Sequence, residues 1–210
     1  MEKTILCFGD SNTWGADPLG GPRFDRATRW PGILLAELGE EYHVVEEGLC
    51  GRTTVWDDPI EGDKNGLKQI VPILKSHMPL DLLIIFLGTN DLKNRFSVSA
   101  LDVADSVAML VETARNAFRG FDGESPRILV ICPPPFAPLA ETKFKDMFVG
   151  GEETSHQLAS AFRCLCAEKN IPMINAGEIV HSSLIDGIHI EPAEHAKLGK
   201  AIVRFVQETM

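Results

Sequence analysis

Residues 4–11 read Thr4-Ile5-Leu6-Cys7-Phe8-Gly9-Asp10-Ser11. Ile5 to Phe8 lack the apolar–polar alternation of a half-exposed strand. Both faces must therefore be covered, as happens in a parallel sheet with helices on either side. Gly9, Asp10 and Ser11 all favour turns, so the strand stops there and leaves a serine at its carboxyl end. In open α/β sheets that end borders the ligand crevice.

The rest of the chain repeats the pattern. Leu82–Phe86 and Ile128–Ile131 read as buried strands and Pro172–Ile174 as a weaker one, while Tyr42–Val45 runs into Glu46-Glu47 and suits an edge. Between them lie helical stripes. Pro31 to Leu38 stops at Gly39, and Leu67, Ile70, Val71 and Leu74 share a face that Pro72 should end or kink. Ser99-x-x-Asp102 has the form of a capping box ahead of Val103, Val107, Leu110 and Val111. Leu158, Ala161, Phe162 and Leu165 form another stripe, and a last helix begins near Pro192. Strands alternating with helices predict an α/β fold with right-handed crossovers. Long loops at 12–28, 52–64 and 133–151 follow three of the strands, so they should wall a pocket on one rim.

The 210 residues suit a single domain, 1–210. The 44% hydrophobic and 24% charged balance is that of a globular chain, not a disordered one. Thirty acids against 20 Lys and Arg leave a net charge of −10, which repels phosphate backbones and anionic membrane surfaces. No nucleic-acid or membrane partner is expected. The start has no signal-peptide pattern, and the run Leu82–Leu87 is too short to cross a bilayer, so the expected location is cytoplasmic. The odd set Cys7, Cys50, Cys132, Cys164 and Cys166 makes no disulfide framework and reads as free thiols.

Four short blocks carry candidate chemistry. Taken alone, Gly9-Asp10-Ser11 reads as a turn-former before it reads as a nucleophile, and Thr at 13 rules out the G-x-S-x-G elbow. Asp186-Gly187-Ile188-His189 can bring a carboxylate against one imidazole nitrogen and leave the other free to take a proton from a serine. Its bland reading is a solvated loop with a helix-capping acid. Gly88-Thr89-Asn90-Asp91 ends the third strand, where the Asn90 amide could donate to an oxyanion. Gly48-Leu49-Cys50-Gly51 follows the second strand, where the Gly51 N–H could do the same. Each block could be a mere turn. Together they supply nucleophile, base, orienter and donors at one rim.

Read as Gly-Asp-Ser-Asn-Thr-Trp-Gly (9–15), Gly-Leu-Cys-Gly-Arg-Thr-Thr (48–54), Gly-Thr-Asn-Asp (88–91) and Asp-Gly-Ile-His (186–189), the chain resembles the GDSL/SGNH hydrolase family in order and over nearly its full length. Trp14, Arg29-Trp30, Glu46-Glu47, Asp57-Asp58-Pro59 and Pro133-Pro134-Pro135 make it similar to the arylesterase-like, acyltransferase-capable group. The resemblance implies a flavodoxin-like, three-layer αβα fold on a mostly parallel five-stranded sheet. It also implies Ser11 as nucleophile, His189 as general base and Asp186 as its orienter. The oxyanion hole would comprise the Ser11 and Gly51 N–H groups and the Asn90 side chain. Asp10, Trp14 and Cys50 are expected at the substrate pocket, Cys50 standing where this group often has serine. No cofactor and no metal are expected, and relatives of this group often form homo-oligomers.

Rival assignments are weaker. His195 falls in the first turn of the last helix and suits a surface or capping role. His43, His77, His156 and His181 have no neighbouring arrangement. Cys50 and Cys132 lack a local partner to lower their pKa. Asp10 with Asp91 could suggest Mg²⁺, but no phosphate-cradling loop accompanies them. Trp30 and Phe136 suit the core. The expected activity is hydrolysis of small short-acyl aryl or alkyl esters through an acyl-enzyme, with possible transfer to alcohols. A carbohydrate acetyl esterase or short-chain thioesterase, or a non-catalytic flavodoxin-like binding module, are the alternatives. The acidic balance favours neutral esters.

Overall fold

In the computed structural model, which describes residues 2–118 and 125–210, five parallel strands form one sheet in the order β2-β1-β3-β4-β5. They are β1 (Lys3–Gly9), β2 (Tyr42–Gly48), β3 (Leu82–Phe86), β4 (Arg127–Cys132) and β5 (Met173–Asn175). The helices are α1 (Ser11–Trp14), α2 (Trp30–Leu38), α3 (Gly66–Ser76), α4 (Ala100–Ala117), α5 (Gly151–Glu168) and α6 (Pro192–Thr209). After β1 the chain first steps to one side, to β2, and then crosses to the other, to β3. That reversal opens a crevice at the carboxyl ends of β1 and β3.

The double-sided apolar character of Ile5–Phe8 has a direct physical origin. Leu6 and Phe8 join a core with Leu83 of β3 and with Ile70, Val107 and Phe162, from α3, α4 and α5. Ile5 and Cys7 join the opposite core with Trp30, Leu34, Leu198 and Ile202, from α2 and α6. Successive side chains of one strand thus feed two cores.

Local signals explain most element ends. Ser99 and Asp102 form a reciprocal capping box at the start of α4, and Gly39, at φ 80°, closes α2. Pro72 does not end α3, which runs through it to Ser76. β2 also extends past Val45 to Gly48. Glu46 tolerates the strand because Arg23, Arg26 and Arg29 all reach its carboxylate, at 3.4 Å and 3.3 Å for the first two. Those three arginines fasten loop 12–28 to the edge strand.

His195 is a correction. It is neither a surface nor a capping residue but fully buried on α6, where its Nδ1 accepts the Trp30 N–H at 3.3 Å and Phe24 meets its ring edge-on at 5.6 Å. A first-turn position on an amphipathic helix faces the core as readily as solvent, and the pattern at a helix end is too short to say which. Burial, with the charges of His189 and Arg29, pushes its pKa down to about 3. The folded state therefore refuses a proton that the unfolded chain accepts below about pH 6.5, and stability from this group is lost as pH falls. Asp10 and Asp91, both pushed up to about 6 by burial, act with the opposite sign below pH 6, so the His195 contribution must be read as a difference. His195→Asn keeps an acceptor for Trp30 and should be the less stable protein at pH 7. Urea unfolding at pH 5 should find that gap narrowed by about 2 kcal/mol, from about 1.36 kcal/mol per pH unit; an unchanged gap would refute the buried neutral imidazole.

Candidate active site

Ser11 opens α1 directly after β1. Asp10 caps that helix, its Oδ1 accepting the Asn12 N–H at 2.9 Å, and Ser11 is 6% exposed. As the first residue of a helix, Ser11 has a backbone N–H with no intrahelical acceptor. Gly9 must be glycine for packing reasons, since a Cβ there would run into the Thr13 side chain and lie 2.9 Å from the Phe86 carbonyl.

The segment before α6 meets this turn from the other side. The Asp186 Oδ1 accepts the backbone N–H groups of Ile188 and His189, both at 3.0 Å. Its Oδ2 lies 2.5 Å from His189 Nδ1, and His189 Nε2 lies 2.9 Å from Ser11 Oγ. Burial works to raise the Asp186 carboxyl, but the His189 hydrogen bond and charge, with the two amides, outweigh it and hold the group below the ordinary carboxylate value. Gly187 makes the turn at φ 81°, and its carbonyl accepts the Ala137 N–H at 2.9 Å, joining loop 133–151 to the segment. Three residues separated by up to 178 positions thus form one hydrogen-bonded line.

Asn12 was not singled out from the sequence, yet it couples the two halves. Its Oδ1 accepts the Ile190 N–H at 3.1 Å and its Nδ2 reaches the Ile188 carbonyl at 3.5 Å. The His189 segment is thereby fixed to the helix that carries Ser11. Position 12 lies inside the 9–15 block, so a signal existed, but a polar turn residue does not reveal a partner 178 positions away.

Asn90 starts a short 3₁₀ turn after β3. Its Nδ2 donates to the Arg52 carbonyl at 3.1 Å, which fixes the amide orientation and leaves a second N–H on the same nitrogen. Arg52 itself is buried. Its Nη1 donates to the Gly9 carbonyl at 2.8 Å and to the Glu47 carbonyl, its Nε reaches Gln69, and its guanidinium lies 4.2 Å from the Phe8 ring centroid. Burial lowers its pKa to about 10, which still leaves a cation at neutral pH. Asp91, fully buried, accepts from the Thr54 N–H and hydroxyl. One arginine and one aspartate therefore tie loop 52–64 to the ends of β1, β2 and β3.

Ser11, Cys50, Gly51, Asn90 and His189 line one cavity of 380 Å³, within the range of small-molecule sites. The lining adds the apolar Phe144, Met147, Phe148 and Ile188 and the charged Glu61, Lys64 and Lys93. Phe144, Met147, Phe148, Glu61 and Lys64 were not readable as pocket lining, because loops 52–64 and 133–151 have no periodicity to orient them. Two expected pocket residues lie elsewhere. Asp10 is buried beneath the serine as a helix cap and does not line the cavity. Trp14 turns away under Arg23, whose guanidinium sits 5.1 Å from its ring and whose Nε donates to its carbonyl at 2.6 Å.

The remaining candidates are placed as follows. Burial raises the thiol pKa of both Cys50 and Cys132, which disfavours a thiolate nucleophile. Asp10 and Asp91 are each tied to backbone amides, and among the described residues no group of three His, Cys, Asp or Glu side chains could hold a metal ion. No helix there is long and apolar enough to cross a membrane. Trp30 and Phe136 are core residues.

A serine–imidazole–carboxylate line beside orphan N–H donors, on an αβα sheet, is the arrangement of a serine hydrolase. The chain belongs to the GDSL-like lipase/acylhydrolase family, whose profile matches residues 7–197. Among solved structures, the M. smegmatis aryl esterase is 39% identical, with 99% of this chain and 100% of that one covered and a TM-score of 0.93. A carbohydrate acetylesterase from Sinorhizobium meliloti is 38% identical over 100% of both chains, with a TM-score of 0.94. A lipolytic G-D-S-L family protein from Veillonella parvula shares the fold, with a TM-score of 0.68 at 16% identity over 98% of both chains. Comparison with curated protein sequences finds no match.

Proposed function

We propose that the protein hydrolyses small esters through a Ser11–His189–Asp186 triad and an acyl-enzyme, with aryl, alkyl or sugar-type alcohols as leaving groups. The observation that carries this reading is the placement of His189 between its partners, 2.9 Å from Ser11 Oγ and 2.5 Å from Asp186 Oδ2. The Asp186 carboxylate holds the proton on Nδ1, so Nε2 is the free base. Nε2 takes the Ser11 proton as Oγ attacks the ester carbonyl. The oxyanion then meets the Ser11 and Gly51 N–H groups and the free N–H of Asn90. His189 returns the proton to the departing alcohol, and water repeats the sequence to free the acid.

The similar aryl esterase and carbohydrate acetylesterase support small acyl groups on aryl or sugar alcohols. The apolar wall of Phe144, Met147, Phe148 and Ile188 favours a second reaction, transfer of the acyl group to an added alcohol, because an apolar surface holds water poorly. The ratio of ester to acid formed with added alcohol reports it.

Stoichiometric labelling by a serine-reactive phosphonate tests the triad. Wild type should label fully and Ser11→Ala not at all; an unlabelled wild type would sink the reading. Asn90→Ala should fold, label more slowly, and lose about two to three orders of magnitude in kcat, as expected when one oxyanion donor is removed. Near-wild-type turnover would take Asn90 out of the oxyanion hole.

A further inference from the structure

Glu61, Lys64 and Lys93 stand along the cavity wall beside Gly51, and two of the three are already committed. The Lys93 Nζ lies 3.2 Å from Asp58 Oδ2 and 2.5 Å from Glu61 Oε1, with its side chain 2% exposed. Arg95 completes the cluster, 2.8 Å from Asp58 and 4.0 Å from Glu61. Asp58 thus pairs with both cations, and Glu61 meets them through Oε1.

Lys64 is the exception. Its stem packs over Gly51, since a Cβ there would lie 3.3 Å from Lys64 Cε and 3.5 Å from Cδ. Among the described residues no carboxylate lies within 4.0 Å of its Nζ. Lys64, Lys93 and Arg95 against Asp58 and Glu61 leave this wall with one positive charge in excess, in a chain whose net charge is −10. The excess is anchored over the residue proposed to donate to the oxyanion.

Resting on the ester-hydrolase reading above, we propose that Lys64 is a specificity residue that receives a carboxylate carried by the substrate, so that the preferred esters are anionic. The lining residues Phe144, Met147, Phe148 and Ile188 are apolar and do not compete for that carboxylate. The substrate class is a short ester with a carboxylate a few bonds from the scissile carbonyl. The negative surface outside lowers the encounter rate of such an ester but leaves the local pairing in the cavity intact, because the distant charges are screened by salt and Lys64 is not. The global acidity therefore does not decide the substrate charge.

The carboxylate can sit on either side of the ester, and paired substrates separate the two. Mono-4-nitrophenyl succinate against 4-nitrophenyl butyrate places it on the acyl group; 4-acetoxybenzoate against phenyl acetate places it on the leaving group. The readout is the anionic-to-neutral ratio of kcat/KM, in which any general effect on turnover cancels. One pair should show a ratio of about five or more in wild type at low salt, the scale of one partly exposed ion pair. Lys64→Met should abolish that preference and Lys64→Arg should keep it. Lys64→Gln repeats the test if the methionine variant fails to label with the phosphonate. A wild type that hydrolyses neutral esters with no preference in either pair, or a preference that survives Lys64→Met and Lys64→Gln, overturns the assignment while leaving the hydrolase standing. A wild type that neither labels nor hydrolyses any of the four esters overturns both.

Discussion

Ser11→Ala should lower ester turnover by about four to six orders of magnitude, the largest loss any single substitution in this chain should produce. Without Oγ there is no acyl-enzyme, and only the oxyanion donors and binding remain to assist water. The fold should persist, because Ser11 Oγ has His189 as its partner and the α1 turn is held by the Asp10 cap and by the Asn12 bonds to Ile188 and Ile190. Steady-state hydrolysis of an activated aryl ester, with circular dichroism as the folding control, measures both. Turnover within tenfold of wild type would require another nucleophile, and burial has already raised the thiols of Cys50 and Cys132.

Asp186→Asn should cost about four orders of magnitude in kcat. The asparagine oxygen can replace Oδ1 and keep accepting the Ile188 and His189 N–H groups, so the turn survives. The amide nitrogen then faces His189 Nδ1 and donates to it. That forces the proton onto Nε2, and Nε2 can no longer accept from Ser11. The same substitution would hardly matter if Asp186 were only a helix-capping acid in a solvated loop, so kcat separates the two readings. A loss below tenfold would reject the orienting role.

Much of the fold was legible in the sequence because it rests on short-range pattern. Ile5–Phe8, Leu82–Phe86 and Ile128–Ile131 are apolar on both faces only because helices cover both faces, and Ser99 with Asp102 caps the apolar-periodic stretch that follows it. Other positions were decided by packing. Of the two outcomes expected at Pro72, an end or a kink, the end does not occur: α3 carries on to Ser76, with Ile70 and Leu74 on either side buried in the core. His195 lies where a helix begins, and only the packing of α6 against Trp30 and Phe24 turns it inward. Trp14 was placed by proximity to Ser11, but its ring packs against the Arg23 guanidinium instead.

The residue types and the order of Ser11, Gly51, Asn90, Asp186 and His189 were determined by sequence alone, since three of the blocks follow strands of one polarity and the fourth directly precedes the last helix. Which side chains face the ester was decided by tertiary structure. Asn12 joins Ile190 across 178 positions, Asp91 reaches Thr54 across 37, and Phe144, Met147, Lys64 and Lys93 meet around one cavity from unpatterned loops. The net charge of −10 shows the same division. It is a sum over the surface, whereas the charge a substrate meets depends on which few groups face the cavity and which of them are already paired, and sequence separation carries no record of that.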